Sequence, residues 1–511
     1  MAAPARAQAV ARVLGGLAAR EARALANRRN GPAEADPGRE RARAIRHALE
    51  ELGPFYVKFG QMLATRPDMV PDTMIAEFEH LQDQVSPLSF SDLEPVLEAE
   101  LGAGWRSRFR SIDVEKPLGA ASVAQVYRVE LDDGRPGVVK VQRPGIAALM
   151  RDDMWLMRRI ARLVGKRTPD FTEVIDIEAM LDMIFDIMEP ELDFTREAEN
   201  MDAARQVAAT FDLVEIPDVV AATPRVLVQS MAAGRPVRDV QPRPEDAERL
   251  LAAGHDVFGF MCQSYFSERV FHADPHPGNI FLSDDGSGDY TATIIDWGMV
   301  GRMDRRMSMS LLLLLISILR NDGSGAARAW IELGRVTPRG DVAGFVGDMS
   351  RLVPKLAGRS LGDIDFGTVL TSALGFATKR GISTNPMVSV LGKSYANLEG
   401  SVRLFAPQIS LTDVMGQNLR RIMQQMLSEE VNEEQLAAVA LETLLGGGIV
   451  RNWRSVADDA VSRGLTVQTA QIEHRRSRRE DRADARAAKL RRSLVGLGLA
   501  ALWLDHRRRI R

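Results

Sequence analysis

Phe271-His-Ala-Asp274-Pro-His-Pro-Gly-Asn279 is followed by Ile294-Ile-Asp296-Trp-Gly298, and these two segments decide how the chain is read. An Asp with an Asn five residues later has the spacing of a protein-kinase catalytic loop. In such a loop the carboxylate faces the hydroxyl or water that attacks a γ-phosphate, and the Asn amide oxygen helps hold a metal on the same phosphates. Pro275 and Pro277 deny the loop a helix and stiffen it. Asp296 comes seventeen residues after Asn279 and ends an apolar strand as Asp-aromatic-Gly, with Trp297 where phenylalanine is usual. Two carboxylates and an amide converging on Mg2+ make a hard-cation, oxygen-ligand site. Either segment alone reads equally well as a polar loop or an edge strand. Their order, joined by a hairpin, carries the assignment. His272 and His276 are four apart, but the intervening prolines prevent the helix that would place both on one face. They read as braces of the loop rather than zinc ligands.

Working upstream, residues 123–131 alternate apolar and polar, Asp132-Asp133-Gly134 turns the chain, and residues 137–142 form the next strand. Lys140 lies in that strand among Val138, Val139 and Val141. A lone strand lysine usually reaches solvent; here it is the counterpart of the kinase lysine that pairs the α/β-phosphates. Such a lysine needs a carboxylate to hold it. Glu197 is the candidate, in a run of acids with Glu189, Glu191, Asp193 and Glu199, each of which alone would read as a solvated helix acid. The turn Pro117-Leu-Gly119-Ala120-Ala121-Ser122 is rich in small residues where kinases place a phosphate lid. Alanine there still lets backbone approach phosphate but restricts φ.

Pro54 opens a helix expected to run to about Arg66, with Phe55, Phe59, Met62 and Leu63 as its apolar stripe. Lys58, Gln61 and Thr65 form a polar row beside it, by pattern alone a solvated face. A helical stretch is expected over 174–210, a strand over 225–229, and helices from Pro244 onward. The exceptions are a hairpin of 280–282 and 290–295 around a seven-residue loop; after Arg302 the pattern is almost wholly helical. Helices, a small mixed sheet and then a helical lobe indicate an α+β, two-lobed fold. The expected divisions are a basic Ala/Arg-rich segment and linker (1–40), a helical extension (41–111), an N-lobe (112–235), a C-lobe (236–430) and a helical basic tail (431–511).

Of 511 residues, 45% are apolar and 26% charged, an ordinary globular composition. The net charge of −3 hides an acidic body and a basic tail: 16 Lys/Arg against 7 Asp/Glu from Arg451 onward, and 50 against 62 before it. The single cysteine, Cys262, excludes a disulfide within the chain and fits a reducing compartment. No run approaches the ~18 apolar residues of a membrane span. Residues 311–319 read as a core helix. Residues 494–504, flanked by arginines, could lie in a bilayer interface. The tail could equally be a solvated helix face, and it has no aromatic or motif support for nucleic acid.

Together these pieces resemble the UbiB/AarF family of atypical kinase-like proteins, linked to coenzyme Q and other isoprenoid-lipid metabolism, over roughly residues 45–320. Lys58-Phe-Gly60-Gln61 is similar to the family's Lys-x-Gly-Gln signature, and Glu191-Leu-Asp193 to its Glu-x-Asp signature. Ala120-Ala121-Ser122 looks like its Ala-rich loop, with Gly119 where many members have a further Ala. The resemblance implies a protein-kinase-like fold with the N-terminal helical extension packed over the active site and a helical C-terminal region. It implies Asp274, Lys140 and Glu197 as the catalytic set, and Ala120, Ala121, Ser122 and Lys140 on the nucleotide. Asn279 and Asp296 would hold metal, and Lys58, Gln61, Glu191 and Asp193 would form a regulatory gate. ATP and Mg2+ are the implied cofactors. The implied partners are an anionic lipid or an isoprenoid or quinone intermediate, and a biosynthetic enzyme complex. Many bacterial members end in membrane-spanning helices; here only residues 494–504 remain, so the expected location is cytoplasmic and peripheral on the inner face of the membrane. A pseudokinase-like scaffold is the alternative, opposed by the intact Asp274, Asn279 and Asp296. A small-molecule phosphotransferase is another, opposed by the Lys58 helix.

Overall fold

The computed structural model describes residues 3–27, 37–64, 66, 70–78, 80–81, 85–165, 177–284, 286, 288–357, 366–409, 414, 418, 421 and 422. Contacts divide the chain into two units, Met1–Asn418 and Leu419–Arg511. The basic tail and its apolar run at 494–504 lie outside the described residues.

Period-two alternation builds the first sheet. Strands β1 (Phe109–Ile112), β2 (Gly119–Ala120), β3 (Ala124–Leu131) and β4 (Pro136–Gln142) precede β5 (Val214–Glu215), β6 (Val219–Ala222) and β7 (Val226–Ser230). All but β5 join in one antiparallel sheet ordered β1-β3-β4-β7-β6, with β2 beside β3. In β4, Val139 and Val141 are wholly buried against Tyr127, Val129, Val226 and Val228. The helix Phe90–Leu101 covers that face with Leu93, Val96 and Leu97, and Trp105 follows it into the core. Each such valine is worth roughly 1.5–3 kcal/mol of burial. Because successive side chains alternate faces, the same register that buries the valines turns Lys140 to the opposite side, between Val126 and Leu227.

In the second lobe, β8 (Arg235–Pro236), β9 (Val270–His272), β10 (Ile280–Asp284), β11 (Tyr290–Ile294) and β12 (Val300–Arg302) form two small sheets, β5-β11-β10-β8 and β12-β9. The β10–β11 ladder pairs Ile280 with Ile294 and Asp284 with Tyr290. It therefore runs further than the alternation suggests, and the loop shrinks from the expected seven residues to 285–289. Just past the ladder's other end, the Ile295 N–H donates to the Asn279 carbonyl at 2.9 Å.

The remaining lobe is mainly helical: Ala247–Gln263, Arg305–Leu319, Gly323–Glu332, Val342–Ala357, Phe366–Lys379 and Met387–Phe405. One antiparallel strand pair, β13 (Gly334–Val336) and β14 (Ile382–Thr384), interrupts it against expectation. Leu311, Leu312, Leu314 and Leu315 are buried, as a core helix requires. Among the described residues no helix is long and apolar enough to cross a membrane.

The N-terminal extension comprises helices Ala3–Asn27, Pro37–Leu52, Pro54–Ala64 and Asp72–Phe78. The second starts at Pro37, inside the segment expected as linker, because proline suits a helix's first turn. Gly53, at φ +99°, separates it from the third. The first helix is docked, its buried Arg6 paired at 2.6 Å with buried Asp153 of the helix Ile146–Gly165. The stretch expected as one helix over 174–210 is two, Ile177–Met188 and Phe194–Ala208, since Pro190 cannot continue the first. An antiparallel sheet lobe, a mainly helical lobe and a helical N-terminal extension make this an α+β, protein-kinase-like fold.

Candidate functional site

Lys140 Nζ stands between two carboxylates, 2.8 Å and 3.0 Å from the oxygens of Glu197 and 3.0 Å from Asp296 Oδ1. The Phe194 ring centroid lies 5.2 Å from the same ammonium. Burial by itself would lower the Lys140 pKa; Asp296 and Glu197 outweigh it and hold the lysine charged well above its ordinary value. Burial raises the Glu197 carboxyl, against the pull of Lys140. Asp296 is held far below the usual carboxylate range, chiefly by the Lys140 charge. Glu197 is placed by the first turn of its helix, which is capped by Asp193: the Asp193 carboxylate accepts from Thr195 N–H at 3.0 Å and Thr195 Oγ1 at 2.6 Å.

Asp296 has a left-handed backbone, φ +62°, which Asp tolerates better than most residues. The segment around it is pinned. Trp297 is buried, donates from Nε1 to Ile294 O at 3.1 Å, and meets His272 edge-on at 4.9 Å between centroids. Its carbonyl accepts from Asn200 Nδ2 at 3.0 Å, and Arg302 donates to Asn200 Oδ1 at 2.7 Å. The two histidines brace the loop. His272, wholly buried, donates from Nε2 to Ile295 O at 3.0 Å and accepts the Asp274 N–H on Nδ1 at 3.0 Å. That pairing assigns the neutral Nε2–H tautomer, and burial lowers its pKa accordingly. His276 Nδ1 accepts from Gly278 N–H at 2.9 Å. Among the described residues, no group of three or more His, Cys, Asp or Glu could hold a metal ion.

Asp274 is held on both oxygens, by Asn397 Nδ2 on Oδ1 at 2.5 Å and by Lys393 Nζ on Oδ2 at 3.2 Å. Burial pushes its carboxyl up, but the Lys393 ammonium brings it below the ordinary range. Asn279 donates from Nδ2 to the Asp274 carbonyl at 3.2 Å.

Lys58 is not solvated as its polar row suggests. Its Nζ lies 2.6 Å from Glu191 Oε2, with the two side chains only 11% and 10% exposed. Gln61 donates to Leu81 O at 2.9 Å. Gly60 lets the helix approach: a Cβ there would lie 2.4 Å from Leu81 Cδ1 and 2.8 Å from Leu49 Cδ1.

One cavity of about 430 Å³ is lined by Lys58, Gln61, Ala121, Lys140, Glu191, Glu197, Asp274, Asn279 and Asp296, within the usual ~300–1,000 Å³ of small-molecule sites. Three expected residues do not line it. Ala120 pairs with Gln125 in the β2–β3 ladder, Ser122 is buried, and Asp193 is the helix cap. Three residues outside the sequence-based set support the site: Asn200, Lys393 and Asn397. Lys393 and Asn397 share a helix face at i, i+4, but no local pattern says that this face meets Asp274, 119 residues earlier.

Residues 80–329 match the ABC1 atypical kinase-like domain. The chain is 33% identical over 380 residues to the probable protein kinase UbiB of Cellvibrio japonicus, covering 73% of this chain and 68% of that one. With the probable protein kinase UbiB of Marinobacter nauticus the identity is 34% over 381 residues, covering 73% and 69%. Among solved structures, the complex of Rv3197 with erythromycin from Mycobacterium tuberculosis aligns with 72% of this chain and 92% of its own, at 23% identity and a TM-score of 0.49. With a third of the aligned residues identical over more than two thirds of each of these two curated relatives, the chain belongs to the UbiB family of ABC1 atypical kinase-like proteins.

Proposed function

We propose that this chain binds Mg-ATP in the 430 Å³ cavity and turns it over, in support of quinone or other isoprenoid-lipid metabolism at a membrane surface. The observation that carries the reading is Lys140 shared between Glu197 and Asp296, in one cavity with Asp274 and Asn279. The donor set fits the metal: the Asp296 carboxylate, 51% exposed toward the cavity, and the Asn279 amide are hard oxygen ligands. Bound Mg-ATP would supply the transferable phosphoryl group and the charge neutralisation its oxygens need.

The chain's own groups then divide the work. Glu197 holds the Lys140 ammonium over the site, so that Lys140 can exchange Asp296 for phosphate oxygens without losing its buried partner. Asp274, kept ionised, orients the acceptor hydroxyl or a water. Lys58 and Gln61 of the N-terminal extension line the same cavity, where, by the family resemblance, a protein kinase would admit a peptide. That favours ATP hydrolysis over phosphorylation of a protein chain. The basic tail, with 16 Lys/Arg against 7 Asp/Glu, supports peripheral attachment to anionic lipid on the cytoplasmic side, near a biosynthetic enzyme complex.

The test is Mg-dependent ATP turnover with and without anionic vesicles carrying a quinone-like phenol, on wild type, Asp274→Asn and Asp296→Asn. Turnover stimulated by vesicles and lowered about 100-fold or more in both variants is expected. Absence of turnover under every condition removes the enzymatic reading. Thermal stabilisation by ATP without turnover would replace it with a nucleotide-binding scaffold.

A further inference from the structure

Asp274 does not hold its own orientation. A carboxylate on a loop can rotate about its last bond, yet here each oxygen has its own donor, and both donors come from the helix Met387–Phe405. Lys393 and Asn397 are one turn apart on one face of that helix. The same face ties down the backbone on either side of Asp274. Ser394 Oγ donates to His272 O at 2.5 Å, and Ser401 Oγ donates to Pro275 O at 2.9 Å. The Tyr265 hydroxyl lies 2.8 Å from Ser394 Oγ and anchors the helix from beneath. The loop has no substitute for these donors: residues 275–278 are Pro, His, Pro and Gly, and His276 points its Nδ1 at Gly278. The Lys393 and Asp274 side chains are 22% and 26% exposed, so the pair sits where screening by water is reduced.

We propose that Met387–Phe405 backs the catalytic loop, and that Lys393 and Asn397 are positioning residues that fix the Asp274 carboxylate toward the acceptor. The proposal rests on the reading of Asp274 given under Proposed function. Neither residue lines the nucleotide cavity, so their loss should leave ATP binding intact and slow the step that Asp274 serves. Misplacing a reacting group by about an ångström can cost on the order of 100-fold.

The experiment uses the full chain with Mg-ATP and the vesicles named above, on Lys393→Met, Lys393→Arg, Asn397→Leu, Asp274→Asn and the double variant Lys393→Met/Asp274→Asn. Lys393→Met and Asn397→Leu should lower kcat about 10- to 100-fold with KM for ATP within about twofold. Lys393→Arg should recover most of the loss. The double variant should turn over no more slowly than Asp274→Asn, because no carboxylate remains to be positioned. A kcat for Lys393→Met within twofold of wild type, in a protein with an unchanged thermal midpoint, overturns the proposal. So does a fall in kcat that tracks loss of folded protein and is as large on the Asp274→Asn background. If Asp274→Asn itself turns over like wild type, the reading of Asp274 fails and this inference falls with it. If Asp274→Asn is inactive and Lys393→Met is not impaired, only the inference fails.

Discussion

Lys58 of the N-terminal extension and Glu191, just ahead of the Glu197 helix, form an ion pair of 2.6 Å across the cavity, both side chains about nine-tenths buried. Two separate parts of the chain are thus joined by charge in the lining of the candidate nucleotide site. Breaking a buried ion pair from one side typically costs about 3–5 kcal/mol, whereas replacing both partners by apolar residues of similar size is often near neutral. Lys58→Met and Glu191→Leu should each lower stability by several kcal/mol in chemical denaturation, and the double variant should regain most of it. Additive losses would show that the two side chains are not coupled.

Gly60 tests how tightly the same helix is seated. A methyl group there would meet the ends of two leucine side chains, which can shift, and alanine gains about 1 kcal/mol of helix propensity over glycine. Gly60→Ala should therefore lie close to wild type in thermal midpoint. Gly60→Val adds branches with nowhere to go and should cost about 1–3 kcal/mol, displacing Lys58 and weakening ATP-induced thermal stabilisation. A valine variant indistinguishable from wild type would mean that the helix is not packed closely against Leu49 and Leu81.

Asp193 separates capping from gating. Its carboxylate accepts from the backbone and side chain of Thr195 at the start of the Glu197 helix. Asp193→Ala should cost about 1 kcal/mol, and Asp193→Asn, which still caps, much less. Turnover at a temperature where both are fully folded should match wild type. A large change in turnover with little change in stability would return Asp193 to the gate.

His272 sets an acid sensitivity. Burial lowers its pKa in the folded protein below the ordinary value of about 6.5. The unfolded chain then binds a proton that the folded chain refuses, so the contribution is complete above about pH 6.5 and is lost as pH falls from there toward the folded value, by up to about 1.4 kcal/mol per pH unit. Urea unfolding at pH 7.5 and 5.5 should show a smaller acid loss in His272→Asn than in wild type. Equal losses would place the acid-sensitive group elsewhere.

Short-range geometry was legible in the chain. Alternation in β4 buried Val139 and Val141 and so turned Lys140 to the other face. The strands expected at 280–282 and 290–295 set a hairpin, and with it the proximity of Asn279 to Asp296. Prolines kept the Asp274 loop from becoming a helix. These features depend on neighbours a few residues away, which is the range over which backbone preference and side-chain period act. What the tertiary structure alone decided lies between elements. Lys58 sits in a polar row that reads as solvent-facing, and only the packing of its helix buries it on Glu191. That Asp193 caps the Phe194–Ala208 helix shows only in where that helix begins. Asn200, Lys393 and Asn397 carry no local signal, because a helix face records only that it is polar, not which distant carboxylate or carbonyl it will meet.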